Sequence, residues 1–171
     1  LVAVGTQALF SNAGAGGNTG VGYQAAYTNS SGTNNVAVGT SALYSNTTAS
    51  NNTAVGYQAG YSNTTGGVDA FGYRALYLNT TGTGNVGLGG SALYNNTTGS
   101  RNTAIGNNAL VSSTLGDNLT AVGYQALNSN TTASYNTAVG YQAGYSNTTG
   151  QITAIGGSAA GNNTTGSVVA V

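Results

Sequence analysis

Apolar positions along this chain come in short clusters, evenly spaced and separated by polar runs. Each cluster is a triplet closed by glycine, as in Ala54-Val55-Gly56 and Ala104-Ile105-Gly106. The closing glycines are Gly5, Gly22, Gly39, Gly56, Gly72, Gly89, Gly106, Gly123, Gly140 and Gly156, at intervals of 17 residues, or 16 before Gly72 and Gly156. The residue before each glycine is large and apolar, running from Val4 through Phe71 to Ile155. Two before it stands Ala or Gly, and three before it Val or Thr, with Asp69 the exception. Three after it stands Ala in every repeat, and five after it usually an aromatic residue, such as Tyr27, Tyr44 and Tyr61. A polar block, typically Asn-Thr-Thr-Gly, completes the unit.

This pattern predicts strands. Apolar residues do not recur at helical spacing, and Gly and β-branched residues abound. Fixed apolar columns argue against disorder. In each repeat a segment such as Asn52-Thr53-Ala54-Val55 alternates with period two and reads as a short strand. Gly56-Tyr57-Gln58 reads as a turn, Ala59 to Ser62 as a second short strand, and Asn63-Thr64-Thr65-Gly66 as a polar turn. Two short strands and two turns per 16–17 residues make one coil, so the expected fold is all-β: a parallel β-solenoid, or β-roll, of about ten coils. Equivalent residues then stack about 4.8 Å apart along a rod roughly 48 Å long. Each coil buries its face only against its neighbours. The aliphatic column is expected to fill a thin core. The Ala and Gly columns mark a place where a larger side chain would clash, either a narrow interior or a contact between chains. The one-residue deletions fall in the polar block, where a turn tolerates them.

A longer period lies above the first. Ser45 to Gly66 is repeated from Ser129 to Gly150 with one change, Asn51 against Tyr135. The offset of 84 positions spans five coils, as a duplicated block would. Residues 1–171 read as a single array that starts and stops mid-pattern, a window of a longer repeat protein.

Composition narrows the chemistry. Charged residues make up 2% of the chain, against roughly 25% in an ordinary protein. Glu, Lys, His and Cys are absent, which leaves Asp69 and Asp117 as the only usual acid–base side chains. General acid–base catalysis and metal binding need clustered groups of that kind. Nucleic-acid binding needs many cations, and Arg74 and Arg101 are the only two. The chain therefore reads as neither an enzyme nor a nucleic-acid binder, with no catalytic, cofactor or metal site. No disulfide is possible, and no apolar run is long enough for a membrane-spanning helix. No glycine-rich phosphate-binding motif of either type stands before a helix.

Three side-chain columns carry the remaining candidates. Asn46, Asn63, Asn79, Asn96, Asn130, Asn147 and Asn163 each begin Asn-Thr-Thr. They read either as an amide ladder along the stack or as glycosylation acceptors, with the neighbouring Thr hydroxyls open to O-linked sugar. The tyrosines read as a stacked ladder, or as a platform for sugar rings. Thr-rich coils also admit ice binding, and Ser50-Asn51-Asn52-Thr53 resembles the Asn-rich repeats of some grass antifreeze proteins. Of the charges, Arg101 and Asp117 are placed to pair across adjacent coils. Asp69, if interior, needs a partner such as Thr53 or Arg74.

The recurring Asn52-Thr53-Ala54-Val55-Gly56, Asn102-Thr103-Ala104-Ile105-Gly106 and Asn136-Thr137-Ala138-Val139-Gly140 resemble the head-domain repeat of trimeric autotransporter adhesins. They are also similar to repeats of phage tail fibres and of large bacterial surface proteins that carry a self-cleaving chaperone. The resemblance implies a β-roll assembled as a homotrimer on a cell surface or virion, binding a surface glycan. From the residues themselves the first expectation is a structural extracellular filament, glycosylated or bare, whose partners are further copies of itself. A glycan-binding patch is expected where the repeat diverges most, at Asn107 to Leu115.

Overall fold

The computed structural model describes residues 1–171. It holds eleven short strands and no helix, so no helix is long and apolar enough to cross a membrane. The strands are β1 (Val2–Val4), β2 (Thr19–Val21), β3 (Val36–Val38), β4 (Thr53–Val55), β5 (Val68–Phe71), β6 (Asn85–Leu88), β7 (Thr103–Ile105), β8 (Thr120–Val122), β9 (Thr137–Val139), β10 (Ile152–Ile155) and β11 (Val168–Ala170). They form one parallel sheet in sequence order. Every strand pairs in the same register, Ala37 opposite Ala54 and Ala54 opposite Ala70. The chain is a β-solenoid of about ten turns.

Each coil has one strand, where two were expected. The segment from Ala59 to Ser62 is a curl. Residues two and four after the closing glycine adopt left-handed backbone, for example Gln58 at φ 54° and Gly60 at φ 58°. Alternating hands reverse successive peptide units, so the wall bends where a strand would extend. Its amides still reach the next coil: Leu43 N–H donates to Ala59 O at 3.0 Å, and Ser45 N–H to Tyr61 O at 3.0 Å. Backbone ladders thus run along the curl as well as the sheet.

The core is inverted relative to the expectation. Successive strand side chains point to opposite faces. In β5, Val68 and Ala70 face in while Asp69 and Phe71 face out. The large aliphatic column therefore lines the outer face of the sheet, with Val55 36% and Leu88 48% exposed. The interior is filled by the two Ala columns, represented by Ala54 and Ala59, and by leucines of the curl such as Leu43, Leu76 and Leu93, all fully buried. Of the two places proposed for the small residues, the narrow interior is where they lie. A Leu in left-handed backbone, as Leu43 at φ 49°, is costly for an isolated residue. Here it aims the side chain into the only apolar volume the coil has.

The closing glycine turns the chain out of the strand. Gly56 has φ 139°, and a Cβ there would overlap the carbonyl of Gly72 in the next coil. No L side chain fits either the angle or the space.

Candidate functional site

Chemistry-bearing side chains are few, and the fold puts most of them to structural use. Asn46, Asn63, Asn79, Asn96, Asn130 and Asn147 are buried, and Asn163 is half-buried near the chain's end. Each Nδ2 donates to the carbonyl three residues on, as Asn63 to Gly66 O at 2.9 Å. Most also donate to the preceding coil's amide oxygen: Asn46 to Asn29 at 2.7 Å, Asn63 to Asn46 at 3.1 Å, Asn96 to Asn79 at 2.7 Å. Nδ2 is the atom to which an N-linked sugar would attach. A sugar on it would replace one of its two N–H donors, and so forfeit one of the two hydrogen bonds and the burial. The second Thr of each block, such as Thr48, Thr65 and Thr81, is exposed.

The ladder breaks once. At the equivalent position of the seventh repeat stands Ser113, whose hydroxyl is too short to reach the coil below. Asn96 Oδ1 and Ser113 Oγ are the two buried side-chain polar atoms with no hydrogen-bond partner.

A second Asn column opens the recurring Asn52-to-Gly56 motif, and nothing in the sequence marked it as buried. Asn18, Asn35, Asn52, Asn85, Asn102 and Asn136 enter the strands and face inward, all buried. Their Oδ1 atoms accept the backbone N–H of the next coil, as Asn35 from Asn52 at 2.9 Å and Asn102 from Leu119 at 2.9 Å. The Nδ2 atoms of Asn18, Asn35, Asn85 and Asn102 cross to the polar turn of that coil, as Asn102 to Gly116 O at 2.7 Å, while Asn52 donates to Asn35 Oδ1 and Asn136 to Asn130 Oδ1, each at 3.0 Å. Apolar residues at Val68, Leu119 and Ile152 interrupt the column.

The aromatic column is a ladder. Phe10, Tyr27, Tyr44, Tyr61, Tyr77 and Tyr94 stack with centroids 5.1–5.2 Å apart and planes within 18°. Burial, and the neighbouring Tyr44, Tyr77 and Tyr57, push the Tyr61 hydroxyl pKa above its ordinary 10.0.

The charges sit on the surface. Asp69 faces outward, so it needs no buried partner. The expected Arg101–Asp117 pair does not form: Arg101 Nε donates to Asn118 Oδ1 at 2.8 Å, and Asp117 Oδ1 accepts from Ser100 N–H at 2.7 Å. Their side chains cap turns in adjacent coils, which serves the stack better than a solvent-screened ion pair. Arg74 donates to Gln58 Oε1 at 2.9 Å and lies over the rings of Tyr57, Tyr73 and Tyr77 at 5.2–5.8 Å. No three His, Cys, Asp or Glu side chains gather.

In the divergent stretch from Asn107 to Leu115, Asn107 and Leu115 are exposed while Ala109, Leu110 and Ser113 are buried. No concavity opens there. Two notches of about 310 and 300 Å³ open instead beside the short coils, at equivalent places 84 positions apart: one at Tyr135, Gln151 and Thr153, the other at Asn51, Gly67 and Asp69. In a long coil two residues, such as Ser50 and Asn51, join the polar turn to the inward Asn. In a short coil one residue, Gly67 or Gln151, joins the turn to the inward Val68 or Ile152, and the surface sinks by one side chain.

No family model matches this sequence, and no curated protein or solved structure matches it. Fold and side-chain columns together define the class: a tandem-repeat β-solenoid.

Proposed function

We propose that this chain is a segment of a structural filament outside the cell, on a cell surface or a virion, where it supplies length and stiffness. The observation that carries this is the uniform stack: one parallel register through eleven strands, with amide and aromatic ladders running along the axis. Nearest-neighbour coupling of this kind makes a rod cooperative and extensible by adding identical units. With only two Arg and no Lys, the chain gives trypsin-like proteases few sites. Any sugar coat sits on the exposed Thr hydroxyls more readily than on the buried Asn amides.

The exposed aliphatic column favours a second reading, side-by-side association with other copies, as the resemblance to trimeric heads implies. The stripe is roughly 48 Å long and about 14 Å wide including its flanking Thr and Tyr columns. That gives about 700 Å² per partner, near the ~800 Å² of a standard interface. A second copy presents the same axial spacing, and Asp69 is the only charge in these columns. Ice binding is not adopted: the outer column beside the aliphatic one mixes Thr53, Val36 and Asp69, which spoils a lattice of like groups.

Mass per unit length by scanning transmission electron microscopy tests the assembly. The 16.6 kDa chain over roughly 48 Å corresponds to about 3.5 kDa per nanometre for one chain per rod, and about 10 for three. Failure of the purified chain to form elongated particles at all would defeat the filament reading.

A further inference from the structure

We propose that the notch beneath Tyr135 is a binding subsite for a neutral sugar ring. The case begins with the duplicated sentence. Between Ser45–Gly66 and Ser129–Gly150 the single change is Asn51 to Tyr135, and it falls on the lip of the notch. The next three differences also fall in it: Gly67 becomes Gln151, and Asp69 becomes Thr153. The third, Val68 to Ile152, lies at its floor and keeps its character. Within the copied 22 residues, change is thus confined to the lip of the notch; past Gly66 and Gly150 the two coils diverge more widely, as at Tyr73 against Gly157 and Arg74 against Ser158.

Stability does not explain Tyr135. Its backbone is left-handed at φ 62°, and so is that of Asn51 at φ 61°. Asn tolerates that region, whereas a bulky aromatic is an outlier there. Its ring is 69% exposed and takes no part in the aromatic stacks that hold most other tyrosines. Yet its backbone is fixed: its N–H donates to Asp117 O at 3.0 Å, and Ser134 Oγ accepts the Asp117 N–H at 2.9 Å. The result is an exposed aromatic ring on a fixed, strained backbone, an arrangement suited to contact with a ligand.

The notch walls set the ligand class. Gln151, Thr153 and Ser167 supply an amide and two hydroxyls, all exposed, which both donate and accept. No charged residue lines the notch. Its volume of about 310 Å³ matches the low end of ligand pockets, about 300 Å³. A ring with one apolar C–H face and a rim of hydroxyls fits an aromatic plate beside neutral polar groups. The equivalent notch has Asn51 in place of the plate and Asp69 in place of Thr153, so it lacks the site. The filament reading does not depend on this subsite, since stacking needs neither Tyr135 nor Gln151.

The test is saturation-transfer NMR on the full chain with neutral gluco-, manno-, galacto- and N-acetylglucosamine oligosaccharides. At least one series should bind. Tyr135→Asn and Gln151→Gly install residues that the equivalent notch already carries, so both should fold. Tyr135→Asn should weaken binding roughly tenfold or more while leaving the thermal midpoint unchanged or higher. Gln151→Gly should weaken it to a lesser degree. Binding that survives Tyr135→Asn, or no binding by any series to the native chain, would overturn the proposal.

Discussion

Asn52 accepts the backbone N–H of Val68 through its side-chain oxygen at 2.7 Å, and Val68 has no amide with which to continue the ladder. The inward Asn column therefore runs in short lengths, each closed by an apolar residue. Asn52 is fully buried, so its oxygen is the acceptor that the Val68 amide has in place of water. Asn52→Leu keeps the volume and removes that acceptor. It should cost about 1–3 kcal/mol, the usual penalty for an orphaned buried donor. Chemical denaturation of the variant against the native chain measures it. No change in midpoint would mean that the Val68 amide finds another partner.

The broken outer ladder predicts a gain. Ser113→Asn places an amide between Asn96 and Asn130, where Asn96 Oδ1 has no donor. Its Nδ2 is positioned to satisfy Asn96, and its Oδ1 to accept from Asn130. Stability should rise by about 1–3 kcal/mol, read as a higher thermal midpoint. A fall would show that the local coil spacing does not admit the longer side chain.

The inverted core predicts an asymmetry between two ordinary-looking substitutions. Leu43→Ala empties a fully buried site and should cost about 2–5 kcal/mol. Val55→Ala trims a residue on the outer face and should stay within about 0.5 kcal/mol in a lone chain. A larger loss for Val55→Ala under conditions where chains associate would locate the stripe at an interface. Urea midpoints measured across a range of chain concentrations separate the two.

Size compensation predicts a coupling between two positions. Gly144 stands where most coils carry Leu or Ala, and a Cβ there would overlap Ile152 Cδ1. Gly144→Ala alone should destabilise, because the backbone is also left-handed at φ 62°. Gly144→Ala combined with Ile152→Asn, the column's usual residue, should recover part of the loss. The double-mutant cycle on thermal midpoints gives the coupling, and strict additivity would contradict it.

Alkaline pH should soften the rod. The Tyr61 pKa lies above 10.0 in the fold because burial and neighbouring tyrosines disfavour the phenolate. The folded state thus holds its proton more tightly than the unfolded chain. That stability is fully present below pH 10 and is lost as pH rises through the folded value. The thermal midpoint should fall as pH is raised from about 10, and less steeply in Tyr61→Phe, which has no proton to lose. An unchanged slope in that variant would assign the loss elsewhere.

The sequence by itself determined the period, the parallel stack, the coil count and the aromatic ladder. Equal spacing of like residues leaves little choice but to place Tyr44 over Tyr61 and Ala37 over Ala54. It also marked the deletions as turn events. What it did not determine was which face of the strand looks inward. Alternation allows either set, and size alone suggested that Val55 and Phe71 would be buried. Closure of the coil decided otherwise. A wall that curls through left-handed Leu43 and Leu76 fills the interior from the opposite side and leaves the strand only room for Ala54 and Ala70. The curl was illegible because nothing in a Leu or Gln marks it for positive φ. The inward Asn column was legible only as the first residue of the recurring Asn52-to-Gly56 motif; its burial was illegible because alternation allows either face. The notches are likewise properties of three dimensions: a missing residue becomes a recess only when its neighbours in the coils above and below keep theirs.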